Sequence, residues 1–168
     1  MIIGFMGTGK STVGRLLAER LGRRFVDLDD AIGARAGRSI ADIFREGGEP
    51  AFRKLELEAL GQALAQNDVV LATGGGAACR EPNLSMMLAA GRVVALSAPP
   101  EEVLRRTGER SGRPLLDGAS DPLAAARELL GEREPFYARA HIRIDTVNKR
   151  PEEVVAEVLI ALRKEGES

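Results

Sequence analysis

Cysteine occurs once in this 168-residue chain, as Cys79, and histidine once, as His141. A single thiol forms no intrachain disulfide, so stability has to come from a packed core, and a cytoplasmic setting is expected. One imidazole and one thiol also speak against a His/Cys metal cluster and against a Ser-His nucleophilic pair. His141 stands in an apolar alternation with Ile142 and Ile144 and reads as a strand-edge side chain. Long apolar runs are missing: none approaches the roughly 20 residues of a membrane span. There is no basic, then apolar, then small-residue leader pattern either. An excess of basic charge is missing too. Lys plus Arg number 24 against 25 Asp plus Glu, for a net charge of −1. That leaves no global field for nucleic acid or an anionic membrane, and small-molecule ligands are expected instead. Lysine is confined to Lys10, Lys54, Lys149 and Lys164, so most positive charge is arginine. No repeat, linker or low-complexity tract divides the chain. One domain spanning 1–168 is expected, large enough to bury its own core.

What the chain does have comes first in the sequence. Gly4-Phe5-Met6-Gly7-Thr8-Gly9-Lys10-Ser11 is a complete G-x-x-x-x-G-K-[ST] phosphate-binding loop. An apolar strand start (Met1, Ile2, Ile3) precedes it and a helical pattern (Val13, Leu16, Leu17, Leu21) follows it, which is the context the motif requires. Glycines let successive backbone N–H groups converge on phosphate oxygens. The following helix adds the positive end of its dipole. Gly7, Thr8, Gly9, Lys10, Ser11 and Thr12 are therefore candidate triphosphate contacts. Lys10 can reach the β/γ-phosphates, and the Ser11 hydroxyl can hold Mg²⁺. The strand before Gly4 is short, which makes it the weak anchor of the loop and leaves open whether residues precede Met1.

Short apolar runs alternate with longer amphipathic ones. Strands are expected at Met1–Phe5, Arg24–Asp27, Val69–Thr73, Val93–Ser97 and Ile142–Asp145. Helices are expected near Lys10–Leu21, Asp30–Ala36, Ile40–Glu46, Glu49–Gln66, Pro82–Ala90, Glu101–Thr107, Pro122–Leu130, Arg133–Arg139 and Glu152–Arg163. In the last of these, Val154, Val155, Val158, Leu159 and Leu162 form one face. Gly37 followed by Ser39 reads as a helix stop and a new N-cap. Strands alternating with helices predict an α/β fold, a three-layer α/β/α sandwich around a five-stranded parallel sheet of the P-loop NTPase type. Ligands then bind along the edge where the strands end. Residues 108–121 form the one long Gly/Pro-containing stretch, with Gly108, Gly112, Pro114 and Gly118. A stretch of that kind reads as a mobile lid or as a plain surface connection.

The strand ends carry the remaining chemistry. Asp27 and Asp29 close the second strand, and alternation would put them on one side of an extended backbone. One carboxylate can order a Mg²⁺-bound water; the other can orient or deprotonate an attacking hydroxyl. Capping of the next helix by Asp29 or Asp30 is the competing reading. Gly74-Gly75-Gly76 follows the third strand and permits close ligand approach, or simply a tight turn. Arg53 and Arg133 stand out in Phe52-Arg53 and in Arg133-Glu134-Pro135-Phe136-Tyr137. Arg106, Arg110 and Arg113 fall in or beside the suspected lid. Guanidinium groups bind carboxylates and phosphates as bidentate forks. A GTPase switch has little support. Asp30-Ala31-Ile32-Gly33 matches D-x-x-G by letters but sits on an expected helix, and Asn148-Lys149-Arg150-Pro151 lacks the acidic residue of a guanine-reading motif.

Taken in order, these residues resemble the shikimate kinase family. The resemblance runs through Gly4–Gly14, Asp27-Leu28-Asp29, Gly37-Arg38-Ser39-Ile40, Phe52-Arg53, Gly74-Gly75-Gly76, Arg113-Pro114-Leu115-Leu116 and Arg133 ahead of Pro135-Phe136-Tyr137. It implies phosphoryl transfer from MgATP to the 3-hydroxyl of shikimate. It further implies that Asp29 holds the acceptor hydroxyls or acts as base, and that Arg53 and Arg133 grip the carboxylate with the Gly75 backbone. Lys10 and Arg113 would stabilise the transferring group. Ser11 would ligate Mg²⁺, with Asp27 supporting its water shell, and Arg106 would lie against adenine. Either Lys149 or Arg150 would be a further adenine contact. A helical segment at about 30–60 would carry the acceptor, and the enzyme would act as a monomer. A kinase for another small hydroxylated acid and a catalytically silent nucleotide-binding homologue remain the alternatives.

Overall fold

A computed structural model describes residues 1–107 and 120–166. The expected lid, with Arg110 and Arg113, lies almost wholly outside the described residues. Five parallel strands form one sheet: β1 (Ile2–Gly4), β2 (Arg24–Asp27), β3 (Val69–Ala72), β4 (Val94–Ser97) and β5 (Ile142–Asp145), in the order β2-β3-β1-β4-β5. Between and around them run α1 (Lys10–Leu21), α2 (Leu28–Ala36), α3 (Ile40–Leu64), α4 (Glu81–Ala90), α5 (Pro100–Thr107), α6 (Pro122–Tyr137) and α7 (Pro151–Gly166).

The period-2 alternation of the strands divides the core in two. Ile2, Val70, Val94, Ile142 and Ile144 face α1 and α7, packing on Val13, Leu17, Val154, Val155 and Val158. Ile3, Leu71 and Ala95 face the other way, onto Leu28, Ile32, Ile43, Leu60, Leu84, Met87 and Val103 of α2 to α5. The sheet is thus covered on both faces, as its near-continuous apolar strands require. β1 is as short as expected, three residues, yet it occupies the centre of the sheet, wholly buried between β3 and β4. The connection from β1 runs toward β2 and that from its neighbour β4 runs the other way, toward β5, so the loop that follows β1 opens at the switch point of the sheet.

Gly4 ends this strand at φ 141°, and a Cβ placed there would stand 2.3 Å from the Leu96 carbonyl oxygen. Gly4→Ala should therefore destabilise the chain by about 1–3 kcal/mol or more through backbone strain alone. Chemical denaturation would measure this, and an unchanged midpoint would show that β1 and β4 can separate at no cost.

Three local expectations need correction. First, the chain leaves β2 directly into α2, so Asp27 and Asp29 do not share an extended backbone. Second, the cap of α2 is neither Asp29 nor Asp30: the Asp27 side chain accepts the Asp29 N–H at 3.1 Å. Third, α6 runs unbroken through Gly131 and Glu132, where a break between two helices was expected. Pro135 lies in its last turn, where one missing N–H does not stop the helix, and burial of Tyr137 anchors that turn. The break expected inside α3 is real: Gly48 has φ 65° and ψ −170°, separating two helical stretches. Gly37, at φ 65°, ends α2, and the Ser39 side chain accepts the Asp42 N–H to open α3.

Candidate active site

At the donor side, Gly9 is the N-cap of α1, with φ 88°. It supplies no side-chain cap, and no acidic residue occupies the first turn. The positive end of the helix is therefore free for an anion. The Thr8 hydroxyl donates to the Phe5 carbonyl at 2.8 Å and the Lys10 Nζ to the same carbonyl at 2.8 Å, which folds the loop around the Lys10 ammonium. The Ser11 hydroxyl donates to Asp27 Oδ2 at 2.7 Å. Asp27 thus caps α2 with one oxygen and holds Ser11 with the other. A hydroxyl and a carboxylate side by side are hard oxygen donors of the kind Mg²⁺ takes together with phosphate oxygens and water. Among the described residues no group of three His, Cys, Asp or Glu forms an all-protein metal cage.

Beyond the loop lies an open cleft of about 430 Å³, bordered by Gly7, Thr8, Gly9, Thr12, Arg106, Thr146, Asn148, Lys149 and Arg150. Arg106 forms its wall. Its guanidinium donates to the Gly7 carbonyl at 3.3 Å, to Thr146 Oγ1 at 2.9 Å and to the Thr146 carbonyl at 2.8 Å. Glu102 pairs with Arg106 and Arg105, which hold its carboxyl down to about 2. Lys149 and Arg150 both border the cleft, paired with Glu157 and Glu153 respectively. Thr146 and Asn148 also border it; the sequence pattern did not single out Thr146.

On the other side of the loop, the turn after β3 brings the acceptor candidates together. A Cβ on Gly74 would stand 2.7 Å from Asp29 Oδ1. One on Gly75 would stand 3.4 Å from an Arg133 nitrogen, and one on Gly76 would stand 3.6 Å from both Arg53 and Arg133. Of the three, Gly74 is the position where a side chain would crowd its charged neighbour, Asp29; at Gly75 and Gly76 a Cβ would reach ordinary contact with the arginines. Asp29 is exposed to solvent on one side. Even so, the surrounding walls and then the nearby Asp27 and Glu56 carboxylates push its carboxyl up to about 6, against the pull of Lys10. Arg53 lies over the Phe52 ring, which stacks on Phe44 with centroids 4.6 Å apart, and Arg133 lies over Phe5.

Two residues at this site escaped the sequence pattern. Glu56 is 1% exposed. It accepts from Arg53 at 3.0 and 3.1 Å and from Asn83 at 3.2 Å. Its sequence signal was a carboxylate on the stripe Phe52, Ala59, Leu60, Ala63, where an apolar residue belongs. Tyr137 is buried, and its hydroxyl donates to the Gly75 carbonyl at 2.6 Å. It stands one helical turn from Arg133, on the same face of α6.

A family model described as shikimate kinase matches residues 6–163. The chain belongs to the shikimate kinase family. A shikimate kinase of Symbiobacterium thermophilum is 46% identical, over 99% of this chain and 97% of its own length. One from Geobacter metallireducens is 49% identical, over 94% and 88%. Among solved structures, the Acinetobacter baumannii shikimate kinase in complex with shikimate aligns with a TM-score of 0.92 at 39% identity, covering 98% of this chain and 92% of that one. A gluconokinase from Sinorhizobium meliloti shares the fold at a TM-score of 0.64 and 22% identity. As a shikimate kinase the chain is an ATP-dependent phosphotransferase, and its sheet order and flanking helices are those of the nucleoside monophosphate kinase-like P-loop fold.

Proposed function

We propose that this chain transfers the γ-phosphoryl group of ATP to the 3-hydroxyl of shikimate, with the donor bound at Gly7–Thr12 and the acceptor at Asp29, Arg53, Gly74–Gly76 and Arg133. The observation that carries the acceptor assignment is the convergence of two guanidinium groups and one carboxylate on the glycine turn. Two forked cations bind a carboxylate, and a neighbouring carboxylate accepts from ring hydroxyls. A small hydroxylated acid satisfies both. A nucleoside monophosphate would present its phosphate, not a hydroxyl, as the attacking group and would give Asp29 no proton to take.

Phosphoryl transfer needs positioning and charge stabilisation more than covalent help from the protein. Arg53 and Arg133 fix the carboxylate end of the acceptor. Asp29 orients the 3-hydroxyl and takes its proton as the new P–O bond forms. The loop N–H groups and Lys10 stabilise the charge that spreads over the transferring oxygens. Ser11, with Asp27 behind it, would hold Mg²⁺, which when bound neutralises β- and γ-phosphate charge. Arg113, outside the described residues, would act on the same group from the lid. Arg106 would contact adenine, with Lys149 as the further basic contact. The chain would act on these substrates as a monomer. The scarcity of cysteine suits the cytoplasm, and none of the described helices is long and apolar enough to cross a membrane.

An ADP-release assay across shikimate, quinate, gluconate and nucleoside monophosphates tests the reading. Shikimate should give the highest kcat/KM; preference for another acceptor would overturn the assignment, and nucleotide binding with no acceptor-dependent ADP release would mark a silent homologue. Arg106→Ala should weaken ATP binding by about 1.5–3 kcal/mol, the scale of hydrogen bonds to a charged group, and leave shikimate binding alone. Titration with each substrate separately checks this.

A further inference from the structure

Arg106 is the last residue but one of α5, and a helix end holds its side chains loosely. Arginine also has more rotamer freedom than most residues, and a ligand that must order such a side chain loses affinity. Here the protein orders it beforehand. Nε donates to Glu102 Oε1 at 2.6 Å, Nη1 to the Gly7 carbonyl at 3.3 Å and to Thr146 Oγ1 at 2.9 Å, and Nη2 to the Thr146 carbonyl at 2.8 Å. A guanidinium carries five N–H donors, all in its plane, and these bonds engage four of them. What remains for a ligand in the cleft is the flat face and one N–H.

Thr146 meets this group twice, through its backbone carbonyl and through its side chain. The side-chain bond has only one polarity open to it. A guanidinium offers no acceptor and a carbonyl no donor. The Thr146 hydroxyl proton therefore goes to the Ser97 carbonyl, at 3.0 Å, and its lone pairs go to Arg106. That joins Arg106 to the last residue of β4, which pairs in register with Asp145 of β5. The anchor is thus the sheet and not a loop. Thr146 is 3% exposed, so water does not compete for its hydroxyl.

We infer that Thr146 is a positioning residue for the phosphoryl donor: its hydroxyl ties the Arg106 guanidinium to the end of β4 and so presets the wall against which the nucleotide base lies. This rests on the placement of adenine beside Arg106 proposed above.

The test compares native protein with Thr146→Val, which keeps the branched shape and deletes the hydroxyl. The Ser97 carbonyl retains the Thr146 N–H at 2.9 Å, and Nη2 retains the carbonyl of residue 146, so a single tether is cut. Calorimetric titration would use ATP, inorganic tripolyphosphate, which has phosphates but no base, and shikimate. ATP affinity should fall roughly tenfold, the scale of one hydrogen bond to a charged group, while affinities for tripolyphosphate and shikimate stay put. KM for ATP should rise with kcat nearly unchanged. Thr146→Ser, which keeps the hydroxyl, should bind ATP as native protein does. A second measurement needs no variant. In native protein carrying isotope-labelled arginine, the Nη protons of Arg106 should give separate resonances, because fixed acceptors stop the guanidinium from rotating. A single averaged resonance overturns the inference. So does native ATP affinity in Thr146→Val, an equal loss for tripolyphosphate, or a serine variant as weak as the valine one. Unchanged ATP affinity in Arg106→Ala would instead overturn the placement of the base, and this inference with it.

Discussion

Asp29→Asn is expected to cut turnover by roughly 10²–10⁴-fold, the usual contribution of a positioned general base, with ATP affinity retained. Asparagine keeps the shape and one acceptor oxygen but cannot take a proton at neutral pH. The environment supports the proposed role of this carboxylate as base. Its walls and its acidic neighbours raise it from 3.8 to about 6, close to the working range and so more basic than a free aspartate. The native kcat/KM should rise with pH and level off above about 6, since the deprotonated form acts and the free enzyme sets that profile. The asparagine variant should lose this limb. Stability should move the other way. A carboxyl raised in the folded state holds its proton more tightly there than in the unfolded chain. Folding is therefore favoured below 3.8, and that advantage disappears as pH climbs from 3.8 to about 6. Above that range native protein carries a cost that asparagine lacks. Water in the open cleft screens it to about 1 kcal/mol or less. Asp29→Asn should thus melt slightly higher than native protein at pH 8 and no higher at pH 4. Unchanged turnover would remove Asp29 from the chemistry.

Arg53→Ala should do two separate things. It should weaken shikimate binding by about 1.5–3 kcal/mol through loss of a charged hydrogen-bonding fork. It should also destabilise the fold by about 3–5 kcal/mol, because Glu56 is left buried without its cation. The second effect was invisible in the sequence, where Arg53 read only as a ligand clamp. Asn83 donates to Glu56 as well, but a neutral amide does not balance a buried charge. The double variant Arg53→Met with Glu56→Gln separates the two effects. The glutamine keeps an acceptor for Asn83 and removes the charge, so most stability should return while shikimate affinity stays low. Denaturation and calorimetry on the same samples decide it. Recovery of shikimate affinity in the double variant would show that Arg53 does not touch the acceptor, and full stability of Arg53→Ala would show that Glu56 needs no partner.

How much of this could be read in the sequence depended on how local each cause was. The form of the loop was legible, because Gly7, Gly9, Lys10 and Ser11 lie within one strand-turn-helix unit. The breaks at Gly37 and Gly48 were legible for the same reason: each is a glycine doing a job within two residues. The cap of α2 was read two or three positions late, since Asp27, Asp29 and Asp30 all satisfy the cap pattern and only the point where the backbone leaves β2 chooses among them. The break expected between Leu130 and Arg133 was misread because a single interior glycine, Gly131, costs a helix only about 1 kcal/mol, which burial of Ala126 and Tyr137 on either side of it outweighs.

The sequence by itself determined the strand-helix alternation, the phosphate loop and the identity of the charged residues that face it. Tertiary structure decided the rest. It set Asp29, Arg53 and Arg133 around one glycine turn, buried Glu56 behind Arg53, and laid the Tyr137 hydroxyl on Gly75. The physical reason is range. Periodicity, capping and turn chemistry act over a few residues. Arg53 meets Gly76, and Tyr137 meets Gly75, only because the strand order β2-β3-β1 and the packing of α3 and α6 against one face bring distant segments into contact.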